Sequence, residues 1–272
     1  PFGAGAVSLW ALVCRRRQRR GNKYDDAFDM PAELFRQHFH LDKESVLWLY
    51  DVLADELGGV RASALSVELQ VLCALRFFAT GSFQASVGCD RSIRVSQATV
   101  SRCVRRVAKA IVDVGSRNNW VHFPTTPEEK AATKLGFLRR GCLPGVVGCV
   151  DGTLVAIRAP RGTGTEKAQY WSRKGYYAIN AMVVCDADMN ITAINARSPG
   201  SNHDSFVWRI CGLRRRMVAG RLQDGEYLLG DSGYPLEPWL LTPVAGPPAT
   251  STPEGRYNAA HASVRCVVER CI

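Results

Sequence analysis

A short apolar segment that ends in one aspartate and a glycine is the feature that most constrains the fold of this chain. The apolar residues 146–150 are followed at once by Asp151 and Gly152. This pattern predicts a buried strand that carries a carboxylate at its carboxyl end, where the glycine lets the chain turn away. A second apolar segment, at residues 227–229, leads in the same way to Asp231.

Acids at the ends of buried strands need a compensating charge, because an unpaired carboxylate is costly to remove from water. Hard cations such as Mg²⁺ bind one or two carboxylates and complete their coordination with water and phosphate oxygens. Asp151 and Asp231 therefore predict a divalent cation site where the two strand ends converge.

The composition favours a folded, basic protein with a polyanionic partner. The 272 residues are 46% hydrophobic, enough for a sizeable core, and carry a formal net charge of +10. A basic excess of this size indicates binding to nucleic acid or to an anionic membrane surface. Charge alone leaves open a basic enzyme without such a partner. No segment has the length and apolar character that predict a transmembrane helix.

The cysteines predict neither a zinc site nor a disulfide framework. None of the ten forms a Cys-x-x-Cys pair or a Cys/His cluster with zinc spacing. Most, including Cys73, Cys149 and Cys185, lie within apolar runs. They are expected to be free thiols that pack as small hydrophobic residues in a reducing compartment.

Residues 1–30 are predicted to form a basic, disordered amino-terminal segment. A dense run of arginines at residues 15–20 suggests a nuclear localisation signal or an arm that contacts phosphates, with a solvated tail as the alternative. Because the sequence begins with Pro1 and not with methionine, an incomplete amino end is expected.

Residues 31–120 predict a helical domain that contains a helix-turn-helix. The helix from Ser96 to Val114 is strongly amphipathic, with apolar residues spaced for one buried face. Its other face offers small polar residues for base edges and cations for phosphates: Gln97, Thr99, Arg102, Arg105, Arg106 and Lys109. The alternative is an ordinary basic surface helix within a three-helix bundle.

The sequence pattern changes after a predicted linker at residues 121–145. From residue 146 onward, strand and turn patterns alternate with two helical segments, so residues 146–272 predict an α/β domain with a mixed sheet and covering helices. The closing helix contains one interior acid, Glu269. Two strand-end aspartates and a helix-borne glutamate are what a two-metal phosphoryl-transfer site requires. As an alternative, Glu269 is an exposed acid paired with Arg265 one turn earlier.

Five stretches follow one another in a specific order and spacing: GCVDGT, KGYYAINAMVVCD, GSNHDSFVW, LLGDSGYPLEPWL and NAAHASVRCVVER. In these stretches, and from about Leu65 to its end, the chain resembles the PIF/Harbinger transposases and the nucleases derived from them. The resemblance implies an RNase H-like fold with an Asp-Asp-Glu metal site for Mg²⁺ or Mn²⁺, preceded by a helix-turn-helix. It also implies a Myb/SANT-like partner protein and a place in the nucleus, with the cytoplasm as a further compartment. The oligomeric state is left open.

Residue by residue, the resemblance assigns the catalytic acids to Asp151, Asp231 and Glu269, and it adds Asp204 as a further metal ligand. The alternative for Asp204 is that it caps the helix after it. In the family the helix that carries the glutamate continues further, so a truncated carboxyl end is expected here. Whether the truncated chain is active is left open. Arg173 and Lys174, in a Lys-Gly-Tyr-Tyr context, fit either a DNA-backbone contact or a solvated loop.

Two functions follow from these patterns. The first is a divalent-metal-dependent DNA endonuclease that hydrolyses phosphodiester bonds through the Asp-Asp-Glu site. The second is a catalytically inactive domesticated transposase that binds DNA or recruits a partner. A phosphatase or another metal hydrolase would also use the acids, but it would leave the basic helix-turn-helix without a role.

Overall fold

The computed structural model describes residues 26–58 and 65–272, which form two compact units that divide between Trp120 and Val121. The arginine run at residues 15–20 lies outside the described residues. Residues 26–30, which the sequence places in a disordered segment, are folded, so that prediction is wrong at its carboxyl end. Lys43 Nζ donates to the carbonyls of Phe28, at 2.8 Å, and Met30, at 2.6 Å, and the Phe28 ring packs against Phe35.

The described part of the amino-terminal unit is helical. Asp42 and Ser66 begin two of its helices by accepting hydrogen bonds from backbone N–H groups three residues later. Large apolar side chains such as Phe35, Leu53 and Val71 form its core. The helices are α1 (Ala32–Phe39), α2 (Lys43–Val52), α3 (Ala54–Leu57), α4 (Val67–Thr80), α5 (Gln84–Gly88) and α6 (Gln97–Arg117).

Helix α6 is the amphipathic helix that the sequence predicts. The Ser96 side chain caps its first turn, and its buried face contains Val100, Cys103, Val107, Ala110 and Val114. A small core that includes Ile93 joins α6 to α4 and α5. The chain turns tightly between α5 and α6 and brings the Val95 carbonyl oxygen close to Gly88. A Cβ atom at Gly88 would lie 2.4 Å from that oxygen, so a side chain there would clash.

The carboxyl-terminal unit is built on a five-stranded mixed sheet with the order β3-β2-β1-β4-β5. Strand β1 pairs antiparallel with β2 and parallel with β4, while β2–β3 is antiparallel and β4–β5 is parallel. The strands are β1 (Val146–Ala156), β2 (Ala178–Cys185), β3 (Ile191–Pro199), β4 (Tyr227–Leu229) and β5 (Leu240–Leu241). The sequence does not predict β5, which is only two residues long.

Strand β1 runs through Asp151 and Gly152 without a turn, so the prediction that Asp151 ends a strand is wrong. Both residues pair with β2 in unbroken register, Asp151 opposite Val183 and Gly152 opposite Met182. The glycine has another role: it leaves room for a side chain from a neighbouring helix. The sequence pattern suggests a turn because a glycine after an acid is also typical of turns.

Helices cover both faces of the sheet. Helices α7 (Pro127–Arg140) and α11 (Pro253–Cys271) contribute to the core that contains Cys149, whereas α9 (Asp204–Ile210) and α10 (Gly212–Val218) contribute to the core that contains Val150. A short helix, α8 (Gly164–Ala168), lies in the β1–β2 connection. Among residues 26–58 and 65–272, no helix combines the length and apolar composition that a membrane span requires.

Residues 121–145, which the sequence predicts as a linker, lie in the carboxyl-terminal unit. Their helix α7 begins with a capping box formed by Thr126 and Glu129. It is held to the strand region by the buried side chain of Lys130, which donates to Glu226 at 2.8 Å. Lys134 donates to the other oxygen of the same carboxylate at 3.0 Å.

Candidate active site

Three aspartates from different elements converge near the carboxyl end of β4. Asp151 lies within β1, Asp204 is the first residue of α9, and Asp231 follows β4. In the parallel β1–β4 pair, Cys149 lies opposite Leu229. Continuing that register by two residues brings Asp231 level with Asp151. The short length of β4 therefore leaves its acid beside the middle of β1.

Two glycines leave space for the carboxylates. A Cβ atom added to Gly152 would lie 2.1 Å from Asp204 Oδ1, which is closer than any real contact. A Cβ atom on Gly233 would lie 3.1 Å from Asp231 Oδ1 and 3.8 Å from Asp204 Oδ2. Asp204 therefore occupies the space at Gly152, and Asp204 and Asp231 both present oxygens beside Gly233.

The acids influence one another electrostatically. Burial raises the pKa of Asp151, and although the nearby Arg265 guanidinium opposes this, the charges of Asp231 and Asp204 raise the pKa further. The Asp151 carboxylate also accepts the N–H of Gly152 at 2.9 Å. A cluster of this kind attracts positive charge, since each added cation removes repulsion among the carboxylates.

Arg265 supplies such a charge within the protein. Its guanidinium lies 3.0 Å from Asp151 Oδ2 and 2.5 Å from Glu269 Oε1. The Arg265 side chain is only 12% exposed, whereas that of Glu269 is 56% exposed. The predicted Arg265–Glu269 pair is present, and it joins the glutamate to the first aspartate through the arginine.

The residues fit a hard divalent cation in their chemistry. All four predicted ligands offer carboxylate oxygens, which Mg²⁺ and Mn²⁺ prefer, and Asp204 and Asp231 both present oxygens beside Gly233. Across residues 26–58 and 65–272, however, no group of three His, Cys, Asp or Glu side chains stands close enough to hold a metal ion. The guanidinium of Arg265 engages the other two acids.

Asp204 is oriented by a residue that sequence reasoning missed. Asn180, on β2, donates from Nδ2 to Asp204 Oδ1 and to the carbonyl of Asn202, both at 2.9 Å. The N-cap residue of α9 is His203, so Asp204 is not the cap of that helix. The sequence does contain a signal for this role, an asparagine within the apolar strand KGYYAINAMVV. Buried amides are rarely left unpaired, so an asparagine in such a strand indicates a specific hydrogen-bond partner.

Tyr234 is a second residue that the sequence does not single out. Its side chain is buried, and its hydroxyl has no hydrogen-bond partner among the described residues. Burial raises the pKa of this phenol, and the charges of Asp204, Asp151 and Asp231 raise it further. Tyr234 therefore remains a neutral O–H donor beside the three acids.

The residues predicted to contact DNA lie along α6. Gln97, Arg102 and Arg105 are exposed, and Thr99 is partly exposed. Arg102 donates to the Thr99 hydroxyl and Arg105 to that of Ser101, so neither guanidinium is neutralised by an acid through these contacts. Two predicted phosphate contacts have partners within the unit: Arg106 donates to the carbonyl of Leu57, and Lys109 pairs with Asp113.

Comparisons with known proteins identify the family of this chain. Residues 150–272, which include all four acids, match the family described as DDE superfamily endonuclease. The chain is 34% identical to the rat protein named "Putative nuclease HARBI1" over 258 residues, covering 93% of this chain and 71% of that protein. The chain belongs to the Harbinger transposase-derived nuclease family.

Two further proteins are also similar to the chain. The human protein of the same name is 35% identical over 256 residues, covering 92% of this chain and 70% of that protein. The Arabidopsis thaliana protein named "Protein ALP1-like" is 28% identical over 209 residues, covering 72% of this chain and 49% of that protein. No solved structure matches the chain.

Proposed function

We propose that this Harbinger-family protein is a divalent-metal-dependent endonuclease that hydrolyses phosphodiester bonds of DNA. The observation that carries the proposal is the convergence of Asp151, Asp204 and Asp231 near the carboxyl end of β4, with Glu269 joined to Asp151 through Arg265. Membership of an endonuclease family supports DNA as the substrate. The strand order, with an antiparallel β3-β2-β1 half and a parallel β1-β4-β5 half, supports an RNase H-like fold.

Each acid has a distinct part in this proposal. Asp204 and Asp231 would hold Mg²⁺ or Mn²⁺ between their carboxylates near Gly233, and Asp151 and Glu269 would complete the site on release from Arg265. When bound, the metal supplies activation of water and stabilisation of charge on the leaving oxygen. In the reaction, a water oxygen bonds to phosphorus as the 3′ oxygen leaves, giving a 3′-hydroxyl and a 5′-phosphate.

The amino-terminal unit would bind the DNA duplex. Gln97 and Thr99 lie in the first turn of α6, where a recognition helix places the residues that read base edges. Arg102 and Arg105 follow on the exposed face and would contact phosphates, whereas Arg106 and Lys109 would first have to leave their present partners. A Myb/SANT-like partner and a nuclear location, with the cytoplasm as a further compartment, complete the proposal.

A catalytically inactive DNA-binding or partner-recruiting protein is the second candidate. Its support is the pairing of Arg265 with two of the four acids, which leaves no ready-made group of three ligands within the described residues. In this alternative the ion pairs stabilise a scaffold, and divalent cations are not needed.

Nicking of supercoiled plasmid with Mg²⁺ or Mn²⁺ separates the two candidates. The nuclease requires metal-dependent nicking that Asp151→Asn and Asp231→Asn each abolish. Asp224→Asn, which alters an exposed loop acid in the same unit, should nick as the wild type does. DNA binding without nicking by a folded wild-type protein would reject the nuclease and favour the scaffold.

A further inference from the structure

Beside Asp204 lies an open polar groove that the proposed chemistry does not yet use. Its lining includes Thr153, Arg173, Lys174, Asn180, His203 and Asp204. Its position at one of the predicted ligands makes it continuous with the candidate active site.

Two cations project from a well-ordered turn at this groove. The backbone of Ser172 bonds to that of Tyr176 and of Gly175, and the buried Ser172 hydroxyl donates to the Tyr176 carbonyl at 2.8 Å. Gly175 adopts a left-handed conformation that suits it to the turn. Arg173 and Lys174 are exposed at the tip. No acid among the described residues pairs with either. The turn therefore holds two uncompensated positive charges at the groove that Asp204 lines.

The floor of the groove contains a buried acceptor without a partner. Asn180 is 4% exposed, and its Nδ2 donates to two oxygens, those of Asn202 and Asp204. Because both partners can only accept, the amide cannot be turned around, and the other end must be the carbonyl. That Oδ1 has no hydrogen-bond partner. It lies 3.3 Å from the point where a Cβ atom on Gly152 would stand. A buried acceptor left unpaired is costly, which points to a ligand with a donor group.

We propose that this groove binds one nucleotide of a DNA strand next to the scissile phosphate. Arg173 and Lys174 bind the flanking phosphate, and the Asn180 carbonyl accepts a hydrogen bond from an N–H group of the base. This inference rests on the proposed nuclease function, since it places a second part of the same substrate. The exposed Trp171 indole stands at the root of the same turn, edge-to-face with Tyr177 at 4.9 Å, and offers a surface on which a neighbouring base can stack.

Binding of a short fluorescent oligothymidylate to the full chain tests the groove without catalysis. The measurement is fluorescence anisotropy in EDTA, repeated from roughly 50 to 200 mM salt, because each phosphate contact in a single strand contributes about 0.7 to the slope of log affinity against log salt. Arg173→Ala/Lys174→Ala should weaken binding about tenfold and reduce that slope by about 0.7, the value for the one flanking phosphate. Arg215→Ala/Arg216→Ala removes the same charge from exposed residues of α10 and should change neither quantity comparably.

Asn180→Ala tests the groove by a second route that does not depend on charge. It removes no charge, so it should weaken binding while leaving the salt slope unchanged. The groove is rejected if the Arg173/Lys174 variant binds like the Arg215/Arg216 control, or if the folded Asn180→Ala protein binds like wild type. If either result is found while the wild-type protein nicks plasmid, the proposed nuclease activity stands and nucleotide binding in the groove is rejected. If oligothymidylate binding follows the expected pattern but the protein does not nick plasmid in Mg²⁺ or Mn²⁺, nucleotide binding in the groove is supported and the proposed nuclease activity is rejected.

Discussion

Arg265 Nη2 lies 3.0 Å from Asp151 Oδ2, and both side chains are largely buried, 12% and 19% exposed. Asp151 also experiences the charges of Asp204 and Asp231, so the guanidinium is the counter-ion for a crowded group of acids. Removing one partner of a buried ion pair leaves the other charge uncompensated, which costs more than the pair itself contributes. The stability of the site without metal is therefore expected to depend on this arginine.

Arg265→Met should lower the free energy of unfolding by about 3 kcal/mol in metal-free urea denaturation, because Asp151 loses its counter-ion. Glu269→Gln removes the exposed partner of the same guanidinium and should cost less than about 1 kcal/mol. Added Mn²⁺ should stabilise Arg265→Met more than wild type, since a cation then replaces the missing charge. Equal effects of the two substitutions would show that Arg265 is not the counter-ion of Asp151.

Gly152→Ala should displace Asp204, because the new methyl group would stand 2.1 Å from Asp204 Oδ1. We expect a loss of about 2 kcal/mol in stability from overpacking. Stabilisation by Mn²⁺ in thermal unfolding should be largely lost as well. Gly164→Ala is the matched control, since a Cβ atom there meets nothing within 4 Å. A Gly152→Ala protein with wild-type stability and Mn²⁺ response would contradict the close approach of Asp204.

Arg102→Ala and Arg105→Ala should each weaken binding to duplex DNA and reduce the salt slope by about 0.9, the value for one phosphate contact. Lys109→Ala, on the same helix, should have a smaller effect because Asp113 already neutralises that charge. The measurement is a salt series of anisotropy titrations with a fluorescent duplex. If all three variants retain the wild-type slope, α6 does not lie on the DNA.

Glu226 should make the carboxyl-terminal unit sensitive to acid. Burial alone would raise the pKa of this carboxyl, but hydrogen bonds from Lys130, the backbone of Gln223 and Lys134 outweigh it and lower the pKa to about 2. Because the folded pKa lies below the unfolded one, the added stability is complete above about pH 4.5 and is lost as the pH falls toward about 2. The linkage corresponds to about 3 kcal/mol.

Glu226→Gln tests this linkage by urea denaturation across the same pH range. The variant should be less stable than wild type at neutral pH, and the difference should shrink as the pH falls from about 4.5 to about 2. Glu254→Gln, at an exposed acid in the first turn of α11, should follow the wild-type pH profile. A difference between Glu226→Gln and wild type that does not change with pH would contradict the lowered pKa.

The helical and strand patterns were accessible because they repeat along the chain. The buried face of α6 follows the spacing of Val100, Cys103 and Val107, and Ser96 begins the helix where its side chain predicts. The two apolar segments before Asp151 and Asp231 do form neighbouring strands. Local propensity could not distinguish a turn from an extended strand at Gly152, because that choice depends on pairing with β2 across the sheet.

The sequence by itself determined the acids, the basic helix and the family, since residue types and their order need no coordinates. Only the tertiary structure decided what surrounds them. Arg265 bridges Asp151 and Glu269, and Asn180 orients Asp204. Gly152 has no side chain and so leaves room for the Asp204 carboxylate. These relationships join residues from different strands and helices. They arise from strand register and helix packing over long sequence separations, which a local pattern does not encode.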